Sequence, residues 1–133
     1  MKKIILFCTL FTTSLLAAQT KQNFRITGDS NLSEIVKTET LKVKITGDGK
    51  FIGTGEAKNI IVRVTGDGVC DLSNLKGDNA NIRIIGDGTV IINTKKLQSR
   101  IIGDGTIRTL GKPFVTKNFV IGDGRVLATD DGL

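Results

Sequence analysis

The tripeptide Gly-Asp-Gly occurs five times, at Gly47–Gly49, Gly66–Gly68, Gly86–Gly88, Gly103–Gly105 and Gly122–Gly124, and a variant Gly-Asp-Ser stands at residues 28–30. Successive first glycines are 19, 19, 20, 17 and 19 residues apart. A chain with this periodicity is a stack of like units, each too small to bury an apolar side by itself.

The residues around the tripeptide repeat as well. Two positions before the first glycine stand Ile26, Ile45, Val64, Ile84, Ile101 and Val120, and four positions after it stand Leu32, Phe51, Cys70, Val90, Ile107 and Val126. Both columns are apolar throughout and belong in a core. A third, four positions before the glycine, holds Phe24, Val43, Val62 and Ile82 and weakens to Ser99 and Asn118. Between the two upstream apolar columns lies Arg25, Lys44, Arg63, Arg83, Arg100 and finally Phe119, which the two-residue alternation of a strand turns toward water. Each unit therefore reads as strand, Gly-Asp-Gly corner, strand and a looser return such as "EAKNI" or "TKKLQSR".

The expected fold is all-β, a parallel β-solenoid of about six coils with a repeat of about 19 residues, like residues stacking in ladders roughly 4.8 Å apart. Glycine and β-branched residues at an apolar period of two oppose a helical reading. An antiparallel sandwich accounts for strands and turns but not for columns at fixed phase.

Ahead of the repeats, Met1, Lys2 and Lys3 precede the apolar run "IILFCTLFTTSLLAA", which ends in Ala17 and Ala18. A short basic end, an apolar stretch too short to span a bilayer and small residues at its close describe a signal peptide over residues 1–18. Residues 19–133 then form one domain, exported to the periplasm or the cell surface, with no transmembrane span after cleavage. It keeps 19 minus 2, or 17, basic residues against 13 acidic ones. Only Cys70 remains of two cysteines, so no intrachain disulfide supports the fold. With no histidine, the Ser/His/Asp and Cys/His catalytic arrangements and histidine-containing zinc sites are excluded.

The Gly-Asp-Gly units admit three readings. A dinucleotide loop needs a third glycine and a following helix, whereas "GDGKFIG" and "GDGTVII" run straight into strand; "GTIRTLGK" has five residues between its glycines, where a P-loop has four. Calcium is the functional alternative, with Asp29, Asp48, Asp67, Asp87, Asp104 and Asp123 as candidate ligands, although one carboxylate per coil falls short of the six to eight oxygens calcium takes. The third reading is structural and fits best. Gly47, Gly49, Gly66, Gly68, Gly86, Gly88, Gly103, Gly105, Gly122 and Gly124 form the corners, where glycine tolerates positive φ and aspartate accepts backbone hydrogen bonds. No cofactor is expected. The stacked aspartates repel, and the Arg/Lys column offers partial compensation.

The column Arg25, Lys44, Arg63, Arg83 and Arg100 is also a candidate anion-binding face, weighed against an ordinary solvated surface. Nucleic acid is disfavoured as a partner, since the chain has no Tyr or Trp on which bases could stack. Cys70, in an inward column, reads as core. The last coil runs to Ala128 and leaves room for only a slight cap, so self-association or pairing with another envelope protein through the C-terminal strand edge is the partner expectation.

The run "LKVKITGDGKFIGTGEAKNIIVRVTGDG", with its G(S/D)G corner and "AxNI" return, resembles the GIN-type domain of auto-transporter adhesin heads, over about residues 24–128. The resemblance implies an exported, right-handed bacterial β-solenoid and supplies no catalytic residue. This chain departs from it in using Asp where many such repeats have Ser, and in being short. The functional expectation is a non-enzymatic structural or adhesin-like module of the cell envelope. The alternative is a periplasmic protein that binds an anionic envelope component through the Arg/Lys column. A β-helical lyase or hydrolase is disfavoured because regular ladders and missing aromatics make no unique pocket.

Overall fold

The computed structural model describes residues 19–111 and 113–129. They form eight strands: β1 (Gln19–Thr27), β2 (Asn31–Thr46), β3 (Lys50–Thr65), β4 (Val69–Ile85), β5 (Thr89–Ile102), β6 (Thr106–Leu110), β7 (Phe114–Ile121) and β8 (Arg125–Thr129). Every pairing is parallel, in the order β1-β2-β3-β4-β5-β6-β8, with β7 also on β5. The chain is a β-solenoid of stacked coils, one repeat per coil.

The register reproduces the sequence columns. Phe24 lies beside Val43, Val43 beside Val62 and Val62 beside Ile82, one repeat apart each time. Each coil has two walls, one before its Gly-Asp-Gly corner and one after it. Their apolar columns meet inside: the rings of Phe24 (upstream wall) and Phe51 (downstream wall) lie 5.1 Å apart. Leu41, Ile45, Ile60, Phe51, Leu72, Leu75, Ile84 and Ile92 are among the fully buried side chains of this core. At about 25 cal/mol per Å² of apolar surface, a core running the length of the stack is the main stabilising term.

The return segments differ from expectation. "EAKNI" and "TKKLQSR" are not loose; they lie within β3 and β5, which continue round a second corner without leaving the ladder. Pairing is interrupted there for a single residue per coil, at Glu39, Lys58, Asp78 and Lys95. All four point outward, and their charges alternate in sign from coil to coil. Lys95 Nζ and Asp78 Oδ1 lie 3.6 Å apart, an exposed pair that contributes little. Only in the last coil does the second corner open, where Gly111 and Pro113 separate β6 from β7.

The irregular spacings also have physical causes. The extra residue of the 20-residue coil is taken up by a bulge between Ile52 and Thr54 opposite Asp71–Asn74, where Asp71 Oδ1 accepts from the Ser73 amide at 3.1 Å and its hydroxyl at 2.7 Å. The next coil is shorter, and the register jumps between Leu72 and Lys76.

The two glycines of a corner do different jobs. Gly66, the first, has φ +108°, a conformation that suits glycine. Gly68, the second, is there for space: a Cβ would lie 2.5 Å from Ile45 Cγ2 and 2.9 Å from the Gly49 carbonyl of the coil below. Sequence reasoning assigned positive φ to both and missed the close stacking. The backbone stays paired through the corner, with the Gly47 amide donating to the Thr65 carbonyl at 2.9 Å and the Val69 amide to the Gly49 carbonyl at 3.0 Å.

The weakened upstream column is also satisfied. Ser99 is buried, and its hydroxyl donates to Asn118 Oδ1 of the next coil at 2.7 Å. Buried Thr109 donates to the Leu127 carbonyl at 3.4 Å. Cys70 is fully buried among the apolar columns, and burial, reinforced by neighbouring Asp71, pushes its thiol pKa far up.

Candidate functional site

The upstream wall carries the distinctive chemistry. Strand alternation turns every second residue outward, and parallel register stacks those residues into straight columns. Arg25 lies beside Lys44, Lys44 beside Arg63, Arg63 beside Arg83 and Arg83 beside Arg100, so the predicted ladder is continuous. It ends on Phe119, whose ring lies 5.1 Å from the Arg100 guanidinium carbon in a cation–π contact.

The neighbouring outward columns extend this character. Asn23, Lys42, Ile61, Asn81, Gln98 and Lys117 form one, and Lys21, Thr40, Asn59, Asn79, Lys96 and Phe114 another. Asn79 Nδ2 donates to Asn59 Oδ1 at 3.2 Å, and Asn81 Nδ2 lies 3.5 Å from Gln98 Oε1. Thr27, Thr46, Thr65, Ile85, Ile102 and Ile121 complete the wall beside the corner. Together these columns hold nine cations, the five of the ladder plus Lys21, Lys42, Lys96 and Lys117, and no Asp or Glu. Sequence reasoning found the ladder but missed the amide columns and the lysines flanking it, because their chemistry changes from coil to coil.

Among the described residues three shallow grooves lie on the wall, one of them, of about 430 Å³, lined by Asn59, Asn79, Asn81, Lys96 and Gln98 among others; the other two lie over the ladder. One, of about 460 Å³, is lined by Arg25, Lys44, Arg63, Lys42 and Asn23 among others; the second, of about 400 Å³, by Arg83, Arg100, Lys117, Asn81, Gln98 and Phe119 among others. Arg83 is half-buried, and its Nε is buried without a hydrogen-bond partner. A larger depression, of about 600 Å³, lies over the second corner and mixes Lys37, Lys58, Lys76 and Lys95 with Glu39, Glu56 and Asp78. Four lysines there face three acids, so most of its charge is offset within the depression itself.

The aspartates Asp29, Asp48, Asp67, Asp87, Asp104 and Asp123 all sit exposed at the first corner. Asp104 Oδ1 accepts the Asp123 amide at 3.3 Å, a backbone-holding role that links consecutive coils. Among the described residues no three His, Cys, Asp or Glu side chains converge as a metal would require. The only ion pair within 4.0 Å among those residues is Lys95–Asp78, so the Arg/Lys ladder offsets the aspartates across a distance and not by contact.

The last coil leaves β7 paired only with β5 and β8 only with β6. Phe114, Val115, Phe119, Ile121 and Leu127 are exposed on it. No helix among the described residues is long and apolar enough to cross a membrane. The proposed leader over residues 1–18 lies outside the described residues.

Residues 9–113 match the family described as "Putative auto-transporter adhesin, head GIN domain". The chain belongs to that family. The match begins earlier than the resemblance read from the repeats and stops before β7, so the GIN match excludes the final two strands. No curated protein and no solved structure matches the chain. Within the GIN domain the ladder residues Arg25 to Arg100 all fall inside the matched segment.

Proposed function

We propose that this GIN domain is an exported, non-enzymatic β-solenoid that serves as a structural or adhesive module of the bacterial cell envelope. The observation that carries the reading is the upstream wall, whose Arg/Lys column repeats from coil to coil and so presents an extended surface. Catalysis calls for a few unlike groups converging on one reacting atom. A ladder offers the same group at every step, which suits a contact made over many weak points.

Family membership supports an adhesive role, and the "IILFCTLFTTSLLAA" leader supports export. The exposed edge of β7 and β8, with its apolar side chains, fits self-association or pairing with another envelope protein. Sedimentation over a range of concentrations reads this out: a concentration-dependent species lost in Phe119→Lys supports it.

A second reading, a periplasmic binder of an anionic envelope component, is favoured by the nine cations gathered without an acid. Protease shaving of intact cells, with fractionation and immunoblotting for residues 19–133, separates the two. Loss of the whole-cell signal supports the surface module. Protection until the outer membrane is opened supports the periplasmic binder, and retention in the cytoplasm overturns both.

A further inference from the structure

We infer that the upstream wall binds a linear acidic glycan, laid along the solenoid axis across the strands, with one anionic group per sugar engaging successive rungs of the Arg25–Arg100 ladder. The inference names the ligand of the surface proposed above and rests on that reading. The two are tested separately, since cell location needs no ligand and binding in solution needs no cell.

The first argument is charge. Five like charges on adjacent strands repel by at most about 1 kcal/mol per neighbouring pair at strand spacing in water. No carboxylate on the wall relieves this. The half-buried Arg83, with its unpartnered Nε, is the fourth rung of the five, between Arg63 and Arg100. The aspartates of the first corner offset the ladder only across a distance, and an anion arriving from solvent supplies the contact they do not make.

The second is period. The rungs repeat at about 4.7–4.9 Å, whereas phosphates along one strand of duplex DNA follow at about 3.4 Å. Each pyranose ring advances an extended glycan by a distance comparable to the rung spacing, so anionic sugars and cationic rungs stay in step over several units.

The third is the company the ladder keeps. Amides of Asn59, Asn79, Asn81 and Gln98 stand on one side of it, and the hydroxyls of Thr27, Thr46 and Thr65 on the other. Amides and hydroxyls donate and accept, as sugar hydroxyls require, and an inorganic polyanion has no use for the donor–acceptor pairing. Nucleic acid would call for stacking surfaces along its path, and the exposed rings of the wall, Phe114 and Phe119, both stand on its last strand, leaving the rungs from Arg25 to Arg83 without one.

The test is calorimetric titration of residues 19–133 at low salt with polyuronate oligomers of increasing length. Neutral glucan oligomers, inorganic polyphosphate and single-stranded DNA of matched length serve as comparisons. The expected result is binding to the oligouronates that strengthens with each sugar and levels off near the five rungs of the ladder. Neutral glucan is expected not to bind, and polyphosphate and DNA to bind more weakly per charge. Arg63→Ala and Arg83→Ala should each weaken binding about two- to fivefold, the size of an exposed charge pair, and lower the salt slope by about 1. Asn79→Ala with Asn81→Ala should weaken oligouronate binding and leave polyphosphate unaffected. Lys50→Ala and Arg108→Ala, off this wall, should change nothing, and circular dichroism checks that every variant stays folded.

Equal binding of polyphosphate or DNA and oligouronate would overturn the glycan assignment in favour of plain electrostatics. So would equal losses from on-wall and off-wall variants, and absence of binding by any oligouronate would end the proposal.

Discussion

The division of labour between the two corner glycines yields a quantitative prediction. In Gly68→Ala the new methyl would stand 2.5 Å from Ile45 Cγ2 and 2.9 Å from the Gly49 carbonyl, well inside van der Waals contact. Overpacking of this kind costs about 1–3 kcal/mol. For a domain of this size each kcal/mol moves Tm by roughly 4 °C, so the variant should melt about 4–12 °C below the parent. Ile45→Ala alone leaves a cavity and costs about 2–5 kcal/mol. Combined, the added methyl enters the space the isoleucine vacates, so the double variant should be more stable than the sum of the single effects by at least about 0.5 kcal/mol. Gly66→Ala is the control. Its cost comes from φ +108° and from the Gly47 carbonyl at 2.9 Å, and Ile45→Ala relieves neither. Urea unfolding followed by circular dichroism measures all five proteins. A neutral Gly68→Ala, or strict additivity with Ile45→Ala, would refute the close-stacking argument.

Three further outcomes follow from the corner and the core. If the aspartates hold backbone and not metal, neither calcium nor EDTA will shift Tm, and a calcium-dependent rise of several degrees would show otherwise. Asp67→Asn keeps an acceptor and removes one charge from a column of six, so its stability should match or slightly exceed the parent at low salt, with a smaller salt dependence; a loss above about 1 kcal/mol would mean that the charge itself is needed. Cys70 should resist maleimide until the chain unfolds. Because burial raises its folded pKa above the ordinary 9.0, the folded state holds the proton where the unfolded state has released it. Its stabilising contribution is therefore complete below pH 9.0 and declines as pH rises beyond it, a decline that Cys70→Ala should lack.

Much of the fold was legible because repetition averages out local ambiguity. A single "KVKIT" could be a strand in many settings, but six copies at one phase specify a parallel stack. What was missed has a common cause. The inward column six before the glycine, Leu41, Ile60, Ala80 and Leu97, is buried, yet it lies inside stretches such as "EAKNI" whose Lys and Asn suggest a loop. Those polar residues belong to a corner only one residue wide, and strand alternation resumes at once beyond it. The 20- and 17-residue coils concealed this further, since the bulge near Ser73 and the register jump at Lys76 shift the phase where the second corner falls.

The site divides along the same line. Arg25, Lys44, Arg63, Arg83 and Arg100 were visible because one kind of residue recurs at one phase, whereas Lys42, Asn81 and Gln98 share a column but not a chemistry. Only the register places them side by side, and only then does it emerge that every acid has been kept off this wall. The second corner makes the contrast. There Glu39, Lys58, Asp78 and Lys95 stack with alternating sign, the arrangement that minimises repulsion between coils. The first corner, however, stacks six aspartates without alternation, and the Arg/Lys column beside it offsets that charge across a distance, so part of the uniform wall has a structural use. That use asks for one column of cations; Lys21, Lys42, Lys96 and Lys117, set farther from the aspartates, are better explained by a ligand of opposite sign than by the requirements of stacking.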